Sequence, residues 1–447
     1  MYKTQNNSRP NLNHTLNLNP TPQPQKLSLN LTLLLLLSFA TASASADEPF
    51  RPEAGKFPPV EKAHAYRGEI VFIDHANRRG SIRVEGTGKF YRNDPHPFAM
   101  LPYGVIRYHG GPADLRDIPL GTVMHVKAFL PPDPKISAVP VLPVDNKEKD
   151  AGHYRGTGIF PAENHVLLLE DEPSHCLDQG LVWKLKEIDL NNHQGTIIAS
   201  REAKSGGDSN ATDEELTFDA ATRIWRGRER ITVADMIAED VWPASGKKSL
   251  DGQDVLLGIT WRPARGDGLS GAFTRFHISD IWLDDASIEH AAQLQTEAHK
   301  VFVRSRWMPA WVDSVEYGKF GRATVTATLF GGMDAALYAE FQKGEGAQMN
   351  ASENTLKHPG GHYGPSHTAS SGAIIDVTEA TGEIPLGSSG IQIQFETDLI
   401  IEGLRPTRVV RVRPAGWPPM QVPREEYLFD GRGHEVRFPS PDIFPKY

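Results

Sequence analysis

The chain has 447 residues, with 47 Lys and Arg against 56 Asp and Glu and a net charge of −9. An acidic chain with no basic stripe repels phosphate backbones, which argues against nucleic acid as a partner. Its one cysteine, Cys176, excludes an intrachain disulfide, so ordinary cores must hold the fold.

Residues 1–46 read as a signal peptide. Lys3, Arg9 and Lys26 give a positive, Asn-rich start without an acid. The apolar run "LTLLLLLSFA" follows, and "TASASA" places small residues at Ala42, Ala44 and Ala46. The apolar run is about half the roughly 20 residues that cross a bilayer, and no later run reaches that length, so no transmembrane span is expected. The expected destination is the periplasm or the extracellular space. Removing this segment makes the mature chain three charges more acidic.

Residues 47–62 form a Pro-bearing linker, and a first β module is expected over 63–175. Its opening, "GEIVFIDHANRRGSIRVEG", is a hairpin in which Ile70 and Phe72, then Ile82 and Val84, alternate around a polar turn. A second module over 176–285 repeats the pattern in "LVWKLKEIDLNNHQGTIIAS". Asp74 and Gly80 match Asp189 and Gly195, the Asp as turn former and the Gly as the residue that accepts a positive φ. One-turn segments at Leu115–Asp117 and Ala234–Met236 precede closing strands. His165 and His277 then begin further strands, 91 and 88 residues after the two aspartates. That register argues for duplication, and a period this long marks whole small domains.

Between the second and third modules, "DDASIEHAAQLQTEAHKVFVRSRW" predicts a linking helix over 286–309. Asp285 or Ser287 would cap it, and Ala291, Leu294, Ala298 and Val301 form an apolar stripe with Glu289, Gln293, Glu297 and Lys300 outside it. A third, looser module over 310–422 opens at "WVDSVEYGKFGRATVTATLFGG" and carries a loop insertion; residues 423–447 read as an extended tail. Short strands, frequent turn signals and little helical periodicity give an all-β chain. Its expected form is three tandem small OB-like β-barrels with one linking α-helix, with β-sandwich modules as the alternative.

The chemistry-bearing residues are scattered. "KHPGGHYGPSHTASSG" holds His358, His362 and His367, a set that could bind a divalent transition metal, although its Gly and Pro content describes an irregular loop. His75, His96, His109 and His125 fall in the first module. Cys176 lies beside His175, and an incidental or structural thiol is the simpler reading of that pair. The clusters Glu170, Asp171, Glu172 and Asp280, Asp284, Asp285 end strands and open helices or turns, where capping explains them. "GLSGAF" at 268–273 lacks the second glycine of a nucleophile elbow, and neither a dinucleotide fingerprint nor a P-loop occurs. Trp225, Trp242, Trp261, Trp282, Trp307, Trp311 and Trp417 suit cores and module contacts, or sugar stacking where exposed. No catalytic residue is assigned.

The stretches "FAMLPYGVIRYHGGPADLRDIPLGT", "LFGGMDAALYAEF", "PLGSSGIQIQF" and "RVVRVRPAGWP" resemble an uncharacterised family of large exported proteins of planctomycete-type bacteria, with repeated small β-barrel modules. The resemblance implies export and a repeated β fold and transfers no catalytic residue. The reading from sequence is a secreted or periplasmic, non-enzymatic binding or scaffold protein acting on an envelope ligand or protein. The alternatives are a metal-binding protein or metal-dependent enzyme using His358, His362 and His367, and a polysaccharide binder using exposed Trp.

Overall fold

The computed structural model describes residues 50–75, 78–84, 95–130, 164–205, 212–263, 274–351, 369–398 and 404–420. Residues 1–46, expected as a signal peptide, the loop with His358, His362 and His367, and residues 423–447, expected as a tail, lie outside them. The described chain folds into three closed small β-barrels, and a single long helix links the second to the third. Closure removes the sheet edges, which excludes the sandwich alternative.

The first barrel uses β1 (His64–Asp74), β2 (Arg79–Val84), β3 (His96–Tyr108), β5 (Val123–Phe129) and β6 (Asn164–Asp171), with the short β4 (Gly111–Pro112) folded back on β3. The order around the barrel is β1-β2-β3-β6-β5, and only β3 and β6 run parallel. Ile70, Ile82, Phe98, Met124 and Val166 fill its core. Helix α1 (Glu172–Gln179) leads to the second barrel.

That barrel repeats the order with β7 (Leu181–Asn191), β8 (Gln194–Ala203), β9 (Glu214–Phe218), β12 (Gly246–Pro263) and β13 (Thr274–Trp282), again with the third and fifth strands parallel. The hairpin of β10 (Arg223–Arg226) and β11 (Glu229–Ile231) extends β13, and α2 (Val233–Ala238) follows it. In both barrels the one-turn segment before the fourth strand carries a reciprocal capping box, Asp114 with Asp117 and Thr232 with Asp235. His165 and His277 both lie buried on the fifth strand, opposite Ala99 and Thr217 of the third.

The 22-residue helix α3 (Asp285–Arg306) then enters the third barrel: β14 (Met308–Tyr317), β15 (Ala323–Phe330), β16 (Gly346–Ala351), β17 (Ala369–Glu379), β18 (Ser388–Thr397) and β19 (Val409–Pro414), with the one-turn α4 (Ala335–Tyr338) after β15. Its order is β14-β15-β18-β17-β16-β19, antiparallel throughout, so its path differs from the first two. Among the described residues no helix is long and apolar enough to cross a membrane.

Two expectations are corrected by the packing. Gly80 and Gly195 do not have positive φ; the left-handed residues in those turns are Arg78, Asn192 and His193. A side chain at Gly195 would instead overlap the Asp189 carbonyl oxygen, and one at Gly80 would meet the Phe72 carbonyl and the Phe98 ring. Close approach selects glycine there. On α3, Leu294 is 59% and Val301 67% exposed and Ala298 is exposed too, so of the predicted apolar stripe only Ala291 packs against a core. Ser287, Ile288, His299 and Val303 are the residues the helix buries.

The barrels touch. Leu101, Tyr103, Phe129 and Leu167 of the first pack with Trp311, Phe330 and Val409 of the third, and Phe57 of the lead-in joins them. Between the first and second, Val123 enters the second barrel's core cluster and Trp261 N–H donates to the Gly121 carbonyl at 2.9 Å.

Candidate functional site: a cavity on the linking helix

The first barrel contributes the turn Tyr108-His109-Gly110-Gly111. His109 and Gly110 both have positive φ (53° and 80°), the two-residue geometry that matches strand twist in a tight hairpin. A Cβ at Gly111 would press on the Ala292 carbonyl of α3, so the two glycines let the helix lie directly on the hairpin tip. The start of α1 clamps the same tip. Asp171 caps α1 by accepting from Ser174 N–H (3.1 Å) and also accepts from His109 N–H (2.8 Å), while Gly110 N–H donates to Ser174 Oγ (2.9 Å).

The second barrel supplies the opposite wall. Arg223 and Trp225 on β10 lie beside Asp280 and Trp282 on β13 because these strands pair in parallel, Arg223 opposite Asp280 and Trp225 opposite Trp282. Asp280, only 1% exposed, accepts from Arg223 Nη2 at 2.6 Å and from Trp225 Nε1 at 2.9 Å. Asp284 caps α3 through Ser287 N–H (2.8 Å) and also accepts from Gly227 N–H (3.0 Å), tying the β10–β11 turn to the helix.

Between these walls and the helix is a half-open cavity of about 290 Å³. His290, Ala291 and Leu294 of α3 line one side, the paired Arg223 and Asp280 with the two indoles the other, and His109 reaches in from the first barrel. Burial pushes the His109 imidazole down to about 4, so it is neutral at physiological pH. Its ring stacks on Tyr108 (3.8 Å between centroids) and meets Trp282 edge-on (5.0 Å). His290 Nδ1 is buried without a hydrogen-bond partner among the described residues.

A second polar cluster is centred on Glu172, which is itself fully buried. Its carboxylate accepts from His125 Nε2 (2.8 Å) and Trp183 Nε1 (3.0 Å) and faces the guanidiniums of Arg67 (3.5 Å) and Arg201 (3.3 Å). Burial alone would raise its pKa, but the His125 hydrogen bond and the two arginines hold it well below the ordinary carboxylate range. His125 itself is pushed down by burial, so a neutral imidazole donates Nε2–H to a charged carboxylate. This is an ionic clamp between the first two barrels: Arg67 comes from β1, His125 from β5 and Arg201 from β8.

Cys176 belongs to this cluster as a buried thiol 3.7 Å from Glu172 Oε1, and burial pushes its pKa well up, which suits the structural reading. His175 turns from the thiol to stack on His125 at 3.7 Å. Among the described residues no group of three or more His, Cys, Asp or Glu is arranged to hold a metal ion, so the first-module histidines form no joint site. Asp171 and Asp284 are caps, as the strand-end acids were expected to be, whereas Asp285 pairs with Lys204. None of the eight tryptophans is exposed; Trp225 and Trp261 are half-buried and the others are buried. An open indole platform is therefore lacking, and Trp225 meets solvent through the cavity.

Sequence reasoning named Trp225, Trp282, Asp280 and His109 separately but not together, and it passed over His290 and Arg223. The parallel pairing of β10 with β13 brings them together, and that pairing has no local sequence signal. No family model, curated protein or solved structure matches this chain.

Proposed function

We propose that the chain is an exported, non-enzymatic binding protein of the cell envelope, with the cavity between α3, the β10–β13 wall and the His109 turn as its ligand site. The cavity carries this reading: it is concave, walled by two indoles and aliphatic side chains, furnished with a few converging polar groups, and built from the first two barrels and the helix that leads to the third. The polar groups are suited to holding rather than reacting. Asp280 is engaged by Arg223 and Trp225, and neutral His109 is wedged between Tyr108 and Trp282. Export rests on the charge, apolar run and A-x-A site of residues 1–46. The shared strand order and capping boxes of the first two barrels support their origin by duplication.

The test is ligand-observed NMR on the mature protein with glucose, benzoate and benzylamine at millimolar concentration, beside an Ala291→Phe variant that fills the cavity. Binding of any probe that the variant abolishes, with its melting temperature retained, supports the reading. Absence of binding by all three, or binding that Ala291→Phe leaves intact, overturns it.

A further inference from the structure

Taking that cavity as the ligand site, we infer that its ligand is an uncharged hydroxylated ring, a neutral sugar unit of monosaccharide size. The size comes first. A volume of about 290 Å³ sits at the bottom of the roughly 300–1,000 Å³ range of ligand clefts, which suits a single ring better than an extended chain.

Charge selects next. Buried Asp280 and the part-exposed Arg223 face each other at 2.6 Å and cancel. A ligand anion entering here approaches the Asp280 carboxylate as it approaches Arg223, and a cation meets the converse. Desolvating an ion is costly, and no uncompensated charge waits inside to offset it. Arg228, exposed at the mouth, is screened by solvent and returns little to an anion. A neutral ligand avoids both penalties.

The remaining groups then match hydroxyls on an apolar ring face. The guanidinium of Arg223 is 41% exposed and offers a hydroxyl N–H donors other than the one that Asp280 accepts. Half-buried Trp225 offers indole surface to the C–H face of a pyranose. An apolar molecule without hydroxyls would leave the Arg223–Asp280 pair facing hydrocarbon.

The experiment is isothermal titration calorimetry of the mature protein, at a slightly acidic pH that keeps the amine protonated, with four sugars that share one pyranose ring: neutral glucose and N-acetylglucosamine, anionic glucuronate and cationic glucosamine. The neutral pair is expected to bind at least about tenfold more tightly than either charged sugar, and Ala291→Phe should abolish all binding. Arg223→Gln, by leaving Asp280 uncompensated, should shift the preference to glucosamine. If circular dichroism shows that variant unfolded, Trp225→Phe serves instead and should weaken glucose severalfold. Tightest binding of a charged sugar, or cavity-dependent binding of benzoate or benzylamine without any sugar, overturns the ligand class and leaves the cavity reading intact. No cavity-dependent binding by any probe overturns both.

Discussion

His165 is buried on β6 with Nε2 unpartnered among the described residues, and burial pushes its imidazole down to about 4, as it does that of His109. Each contributes stability that is complete above pH 6.5 and lost as the pH falls toward 4, because the unfolded chain takes up the proton first. Asp171 works in the opposite sense. Burial pushes it up to about 7 despite the hydrogen bonds from Ser174 and His109, so its contribution is present at low pH and lost as the pH rises through 7. At about 1.4 kcal/mol per pKa unit, the two imidazoles together outweigh the one carboxyl. The urea midpoint of the wild type should therefore fall between pH 7 and pH 4. His165→Leu should flatten that slope and Asp171→Asn should steepen it; a midpoint that rises on acidification contradicts the assignment. Gly195 makes a different residue-scale case. Its place in the repeated hairpin was legible, but its cause was not, since what a Cβ would strike depends on how closely β7 approaches. Gly195→Ala should cost about 2–3 kcal/mol by overpacking against the Asp189 carbonyl, and an unchanged denaturation midpoint would refute that.

The elements that make the cavity are held by two aspartates with parallel duties. Asp171 caps α1 and holds the β3–β4 turn; Asp284 caps α3 and holds the β10–β11 turn. In each barrel the helix leaving the fifth strand thus reaches back to a hairpin that follows the third. Asp284→Ala should lower stability by about 1 kcal/mol from the lost cap. It should also release the Gly227 turn, visible as faster amide exchange at Gly227 and Arg228. Asp285→Ala, which removes only an exposed pair with Lys204, should change stability by less than about 0.5 kcal/mol, and equal losses in the two variants would count against this division. The sequence located α3 and placed its cap within a residue or two. It misassigned the buried face because the helix lies across the first barrel, where polar side chains are useful: Gln295 Nε2 donates to the Pro112 carbonyl and Asp117, and Arg116 sits 3.9 Å over the Phe302 ring. A hydrophobic pattern cannot register a face chosen by hydrogen bonds.

At the scale of the molecule, the division into small β-barrels was readable from alternation and spacing, and so was the correspondence of the first two modules along the chain, but not the six-stranded, all-antiparallel path of the third. Contact between modules was not, because the residues that make it look like ordinary core. Two interfaces of different chemistry result. The first and third barrels share the ring cluster of Phe57, Tyr103, Trp311 and Phe330, with centroids 5.0–6.2 Å apart. Each such ring contributes about 4–6 kcal/mol of burial before ordering costs. The first and second are joined by the Glu172 clamp, where charge was removed from water and is held by Arg67, Arg201 and His125. Unpairing such a buried cluster costs about 3–5 kcal/mol, and the lower end applies here because Glu214 still faces both arginines. That remains a large fraction of a domain's usual 5–15 kcal/mol. Wild-type protein should therefore unfold in one calorimetric transition with matching van't Hoff and calorimetric enthalpies. In Glu172→Gln the second barrel should melt first as a separate, earlier peak, while the aromatic junction keeps the first and third barrels unfolding together. Trp311→Ala should instead detach the third barrel and leave the first two coupled. Separate transitions already present in the wild type, or the same peak lost in both variants, would show that the barrels are neighbours without being energetically joined.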